Sequence, residues 1–253
     1  MSKTLSWVLR HGARSEGLEM RPDGYVRVDD LVSLKIPKMR EMNFDMLEQI
    51  VKADNKSRYN LIHEPDKAVG SPSQIWWIRA NQGHSMKTVV LDLQPIQSPA
   101  DIPTGLAVHG TSRKAWDIIC EQGLSKMSRN HIHLAQGVPG SGVISMRSSS
   151  SILIFVDIQK ALAAGIRFYL SDNGVVLTDG DEKGFLSPQF FARVETAKRE
   201  PLPGWEGAGP IQLLNQDKVD VEQVEQEIEV PEGSSSQPSS SERKVEKTET
   251  LLL

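Results

Sequence analysis

Trp76-Trp77-Ile78-Arg79-Ala80-Asn81-Gln82-Gly83-His84-Ser85 starts in strand-forming aromatics and ends in a run of polar side chains. Its apolar head is matched by an earlier segment, Lys56-Ser-Arg58-Tyr-Asn-Leu61, and the two read as the arms of a hairpin. Three helical patterns precede that hairpin. Leu5, Val8 and Leu9 share one face of an opening helix, and a second helix begins at Asp29-Asp30, runs through Leu31 and Leu34, and ends before Pro37. Phe44, Leu47, Ile50 and Val51, spaced by three and four, mark the third. Asp23-Gly24 is a turn signal before the strand-like Tyr25-Val26-Arg27-Val28. Short helices closed by a two-stranded wing predict a winged-helix lobe over residues 1–87.

The polar half of the opening stretch, 78–85, suits an anion. Arg79 offers a planar fork of five donors, Asn81 and Gln82 add amides, Gly83 permits close backbone approach, and His84 and Ser85 can donate to an oxyanion. A plain polar loop after a strand is the competing reading.

Downstream the pattern changes. Leu106-Ala-Val108, Ile132-His133-Leu134, Ile152–Val156 and Val175-Val-Leu177 read as strands, and only two helices, 112–122 and 157–164, interrupt them. Many strands with few helices predict an α+β lobe over 88–197 with mainly antiparallel sheets. Neither a Gly-rich dinucleotide fingerprint nor a phosphate loop is present. From 198 the composition breaks into Pro-Leu-Pro-Gly, an acidic stretch and a serine-rich run, so 198–253 is expected to be a disordered acidic tail.

Composition narrows the function classes. The 253 residues, 38% hydrophobic and 25% charged, contain no apolar run long enough to span a membrane, and the amino terminus is too short in apolar residues for a signal peptide. The lone Cys120 excludes an internal disulfide, fits an intracellular setting, and reads as a buried structural thiol. No Cys/His cluster has zinc spacing, and no metal is expected. Net charge is −4, but residues 201–253 carry eleven acids against four bases; the other 200 residues hold 22 acids and 25 bases, or +3, which permits a nucleic-acid partner.

Three further groups carry chemistry. Leu9-Arg10-His11 ends the first helix, Val108-His109-Gly110-Thr111-Ser112 follows a strand, and Met146-Arg147 precedes the strand at 152–156. Each has an ordinary alternative. Arg10 and His11 would complement the carbonyl end of a helix, Thr111 or Ser112 would cap the next helix, and Arg147 would be a solvated loop residue.

Taken together and in this order, these segments resemble the RNA 2′-phosphotransferase family over roughly residues 3–193, most specifically in Arg-Ala-Asn-Gln-Gly-His-Ser. The resemblance implies an amino-terminal winged-helix RNA-binding lobe and an ADP-ribosyltransferase-like lobe. It implies NAD as a consumed co-substrate, transfer of an internal 2′-phosphate at a tRNA splice junction, and release of nicotinamide, ADP-ribose 1″,2″-cyclic phosphate and RNA with a 2′-hydroxyl. The family's catalytic set falls on Arg10, His11, Arg79 and Arg147. Its NAD site falls on His109, Gly110, Thr111, Ser112 and His133, with His131 as the alternative to His133. Lys56 and Arg58 at the base of the wing are expected to touch RNA phosphates, with a solvated charged face as the alternative. Arg129 reads equally as a phosphate contact and as an exposed loop residue.

The implied chemistry is coherent. A phosphate is already anionic, so its attack on the nicotinamide riboside needs cations to gather it rather than a base to activate it. In the second step charge builds on the phosphoryl oxygens, where Arg10, Arg79 and Arg147 matter most, and His11 carries the proton or donates to the oxyanion. Alanine at Arg79 is expected to arrest the reaction after the first step. The partners implied are a 2′-phosphorylated tRNA or other RNA and NAD, acting on a monomer, cytoplasmic or nuclear, with no membrane. Two other readings compete: an ADP-ribosyltransferase modifying RNA ends or protein, and a non-catalytic winged-helix RNA-binding protein.

Overall fold

A computed structural model describes residues 1–65, 74–141 and 146–207. Helix α1 (Ser2–Trp7) passes directly into a π-helical turn, Val8–Gly12, and the two bury Leu5, Val8 and Leu9 completely. Strand β1 (Val26–Arg27) is shorter than its sequence pattern because Val28 already opens α2 (Val28–Val32), whose first turn carries Asp29 and Asp30 at the positive end of the helix. Helix α3 (Phe44–Lys52) is capped by Asn43, whose side chain accepts from the Met46 N–H at 2.9 Å. Strands β2 (Tyr59–Pro65) and β3 (Gln74–Ala80) form the expected hairpin, in register from Tyr59 opposite Ala80 to Pro65 opposite Gln74. β1 joins its other edge, in the order β1-β3-β2. Alternation on β3 sends Ile78 and Ala80 into a core with Leu5, Leu9, Leu31 and Leu47, leaving Trp77 and Arg79 on the opposite face.

The rest is held by a second, larger core and by a small cluster of Leu106, Val108, Leu153 and Phe155. Strands β4 (Gln94–Ile96), β9 (Phe168–Leu170), β10 (Val176–Thr178) and β7 (Ile132–Leu134) make one antiparallel sheet in that order. Strands β12 (Phe191–Thr196), β8 (Ile152–Val156) and β5 (Val108–Thr111) make another, and β6 (Leu124–Ser125) pairs with β11 (Phe185–Leu186). Helices α4 (Arg113–Gln122) and α5 (Ile158–Ala163) pack on this core, which includes Trp116, Ile154, Phe168 and Phe191. All pairings are antiparallel, so the mixture of helix and antiparallel sheet expected from the pattern is present. The described residues fall in one compact unit.

Two expectations are corrected. The strand read at 106–108 begins at Val108 and runs to Thr111, because β5 pairs with β8 from Val108 opposite Phe155 to Thr111 opposite Ile152. Residues 198–207, read from composition as the start of the tail, continue the second core. The Val194 N–H donates to the Trp205 carbonyl, Leu202 is 5% exposed, and the Trp205 ring stands edge-on to Trp116 at 5.2 Å. Leu202 and Trp205, spaced by three, fold this Pro/Gly-rich segment back onto the edge of β12, where the Leu202 N–H donates to the Val194 carbonyl at 2.9 Å. The remaining tail, from 208, lies outside the described residues. No helix among the described residues is long and apolar enough to cross a membrane.

Candidate functional site

The site opens where two sheets part. β5 and the end of β7 meet in a single bridge, Val108 with Ala135, whose two N–H···O bonds are both 2.8 Å. Around it Val108, His109, Gly110, His133 and Leu134 line a cavity of about 620 Å³, completed by Arg10, Lys56, Arg58, Gln82 and Gly83. Among the described residues, six lining side chains are cationic (Lys3, Arg10, Lys56, Arg58, Arg129, Arg147) and none is acidic. The size suits a dinucleotide-scale ligand, and the charge demands an anionic one.

Arg10 is placed by the π turn, a local widening that re-aims the side chains it carries. Glycine is required at two points around it. A Cβ on Gly12 would overlap the Trp7 ring, and Gly83, at φ +92°, would bring one within 3.3 Å of the Arg10 Cδ and Nε. The loop is tied down by the Ser85 N–H to the Arg10 carbonyl at 3.0 Å and the Asn81 N–H to the Arg58 carbonyl at 2.8 Å. The Arg10 Nε and NH2 are buried without an acceptor among the described residues. Burial lowers the Arg10 pKa, Arg129 and Arg58 lower it further, and Tyr59 and Asp54 oppose them. A buried guanidinium left open in this way is a receptor for an anion.

The other expected catalytic residues divide. Arg147 lines the cavity and stands close enough to Arg129 to lower the Arg129 pKa, after burial. His11 is not a lining residue. Its Nδ1 lies 2.9 Å from the Ser85 Oγ, and burial, then Arg129 and Arg10, lowers its pKa and favours the neutral ring. Arg79 is also absent from the lining. It stacks 4.7 Å over the Tyr25 ring, donates to the Asp23 carbonyl at 3.2 Å, and pairs with Asp172 Oδ2 at 2.6 Å. Arg10 and Arg79 nevertheless both act on His84, which is 2% exposed; burial first, then these cations, push it down to about 4.

Among the expected cofactor residues, His109, Gly110 and His133 line the cavity. The His109 Nδ1 is 3.1 Å from the His133 carbonyl, which can only accept, so His109 donates there and its Nε2 is the acceptor in the neutral ring. Burial and then Arg129 hold His133 down to about 3, and its Nε2 has no partner among the described residues. A Cβ on Gly110 would overlap Met146 Sδ and Ser150 Oγ. Thr111 and Ser112 do not line the cavity. Ser112 caps α4 instead, its Oγ accepting from the Ala115 N–H at 3.2 Å, as the alternative reading had it. His131 points elsewhere, to Asp179 at 3.4 Å.

Lys56 and Arg58 both line the cavity, with Lys56 Nζ 3.5 Å from the Met146 carbonyl and Arg58 paired to Asp54. Cys120 is half-buried on α4 rather than enclosed, its Sγ donating to the Asp117 carbonyl at 3.4 Å. One feature of the site escaped the sequence: the Asp23, Tyr25 and Asp172 cradle of Arg79 is assembled from distant segments. Arg129, read equally as a phosphate contact and as a loop residue, lines the cavity. Among the described residues, no group of three or more His, Cys, Asp or Glu could hold a metal ion.

Residues 1–180 match the RNA 2′-phosphotransferase, Tpt1 / KptA family. The chain is 44% identical over 206 residues to the tRNA 2′-phosphotransferase 1 of Danio rerio, covering 80% of this chain and 87% of that one. It is 45% identical over 206 residues to the tRNA 2′-phosphotransferase 1 of Homo sapiens, covering 80% and 78%. A Schizosaccharomyces pombe protein is 45% identical over 203 residues, which are 79% of this chain but only 52% of that longer protein.

Proposed function

The chain belongs to the RNA 2′-phosphotransferase family, and from that premise we propose that it transfers the internal 2′-phosphate at a tRNA splice junction to NAD. The products are nicotinamide, ADP-ribose 1″,2″-cyclic phosphate and RNA with a 2′-hydroxyl. One observation carries this reading: a cavity lined, among the described residues, by six cations and no carboxylate. A hydroxyl acceptor would need a base beside it, whereas a phosphate nucleophile needs only to be gathered and held.

The unpartnered Nε and NH2 of Arg10 fit the phosphate, with Arg147 and Arg129 sharing its charge. His109 and His133, at the parting of the sheets, fit the adenylate half of NAD, where the His109 Nε2 accepts and Gly110 keeps the wall thin. NAD supplies the electrophilic ribosyl carbon. His11, neutral and bonded to Ser85, serves as proton carrier, and Arg79 supports the phosphoryl oxygens. Lys56 and Arg58 steer the RNA backbone. The first lobe then acts as a winged-helix RNA platform and the second as an ADP-ribosyltransferase-like lobe, inside the cell.

Purified protein with 2′-phosphorylated RNA, with and without NAD, tests the reading. Dephosphorylated RNA and the cyclic phosphate are expected only with NAD. A stable ADP-ribose adduct on RNA or protein moves the assignment to an ADP-ribosyltransferase. RNA binding indifferent to NAD, with no product, moves it to a binding module.

A further inference from the structure

Trp7 is the last residue of α1, and its neighbours on that helix already have places in the site. Lys3, Ser6 and Arg10 line the cationic cavity, and His11 lies beside Ser85. Arg10 is three residues from Trp7, and Lys3 and His11 are four. Those spacings share one helix face, with about 5–6 Å between Cβ atoms. The indole therefore stands at the rim of the cavity, yet it is 44% exposed. It is also held in place. In a regular helix the residue five places on stands roughly 140° round the axis. The π turn brings Gly12 onto Trp7 instead, where a Cβ would overlap the Cε3–Cζ3–Cη2 edge of the ring. The adjacent Ser6 Oγ is hydrogen-bonded to the Tyr59 hydroxyl of β2 at 2.5 Å, which ties α1 to the hairpin.

We propose that Trp7 is a stacking platform for a nucleobase next to the 2′-phosphate of the RNA. The inference rests on the phosphotransferase reading above. The cations beside the indole call for an anionic partner, and in RNA every phosphate is accompanied by flat bases. An exposed aromatic face among cations is the surface on which unpaired bases stack, and it accepts any base because every base has a π-face. Arg10 alone would leave the nucleotide free to turn about its phosphate. A base seated on a ring one helical turn away removes that freedom, and the ring, fixed by Gly12, loses little conformational entropy in doing so. The rings of NAD are the competing occupants. The residues that serve NAD in that reading, His109, Gly110 and His133, lie on β5 and β7, not on α1, so the RNA base is the occupant that α1 fits.

The test uses the full chain and a short 2′-phosphorylated RNA, with RNA and NAD titrated separately under turnover. Trp7→Leu keeps an apolar cover over Gly12 but offers no aromatic face. It should raise the KM for RNA about tenfold, the order of one lost base–aromatic stack. The KM for NAD should hold, and the rate at saturation should change less. Trp7→Phe should recover most of the loss. RNAs made abasic at one position at a time around the 2′-phosphate should reveal one base whose removal costs the parent as much, and Trp7→Leu should add nothing to that loss. Trp76→Leu removes another exposed indole, one stacked on His63 and absent from the cavity lining; it should leave the KM for RNA unchanged. Melting curves confirm that each variant is folded. A further readout needs no variant: 5-iodouridine at the sensitive position, irradiated with the parent protein, should crosslink to the peptide that carries Trp7. An unchanged KM for RNA in Trp7→Leu, additive losses, a rise in the KM for NAD instead, an equal loss in Trp76→Leu, or crosslinks confined to other segments each overturns the inference. A parent that turns over 2′-phosphorylated RNA while Trp7→Leu matches it refutes only this role. A parent with no NAD-dependent product refutes the reading beneath it.

Discussion

Arg193 and Arg10 are both buried guanidiniums, and their surroundings are opposite. Arg193, 5% exposed on β12, donates to Glu195 at 2.6 Å and lies 3.9 Å over the Phe155 ring, while Arg199 takes the other oxygen of the same Glu195. The Arg193 NH1 is buried without a partner among the described residues. Among the described residues, Arg10 has its Nε and NH2 both open, in a cavity lined by no acid. An interior charge is costly unless matched, so a matched cluster belongs to the architecture and an unmatched one awaits a ligand.

The contrast can be broken by exchanging outcomes. Removing Glu195 with alanine leaves two arginines uncompensated and should destabilise the fold by about 3–5 kcal/mol in chemical denaturation, with turnover per folded molecule unchanged. Arg10→Ala should do the reverse: single-turnover dephosphorylation falls by about 10²–10³, or about 2.7–4 kcal/mol, while the melting temperature holds or rises. A stable, inactive Glu195 variant or an active, unstable Arg10 variant would erase the distinction.

A pH series sharpens it, because His84 is an unmatched group that escapes its charge by staying neutral. Its folded pKa of about 4 lies below the ordinary value of 6.5, so in that window the unfolded chain binds the proton first. Stability is then full above about pH 6.5 and falls on acidification toward pH 4, by on the order of 3 kcal/mol from His84 alone. His133, held down to about 3, adds to the same slope. Denaturation at pH 7, 6, 5 and 4 should show the decline, and His84→Gln should flatten it. The smallest effect concerns the cavity wall. Gly110→Ala forces Met146 and Ser150 aside, an overpacking of about 1–3 kcal/mol, and should raise the KM for NAD more than it lowers the rate. An unchanged KM would mean that this wall does not meet the dinucleotide.

Local pattern carried much of the fold. The hairpin, α3, α4 and α5 follow from periods of two and 3.6 and from side chains such as Ser112 and Asn43 that cap helices. Pattern erred where a contact from far along the chain decides. β5 slid from 106–108 to Val108–Thr111 because its register belongs to β8. Residues 198–207 joined the core through Leu202 and Trp205 because Trp116 and Phe191 offered them an apolar face. In the site, Arg10, Arg147, His109, Gly110 and His133 were legible as residue types in order. That Asp172, Tyr25 and the Asp23 carbonyl hold Arg79 was not; Ser112 and Arg129 each carried two readings, and only the fold chose the cap for one and the cavity wall for the other.

The order of residues along the chain determined which groups are available: three dispersed arginines, paired histidines, and glycines where the backbone must bend or crowd. Tertiary structure alone decided which of those charges are neutralised. Pairing energy depends on distances of a few ångströms between segments such as 79 and 172, and nothing local in either segment encodes that separation.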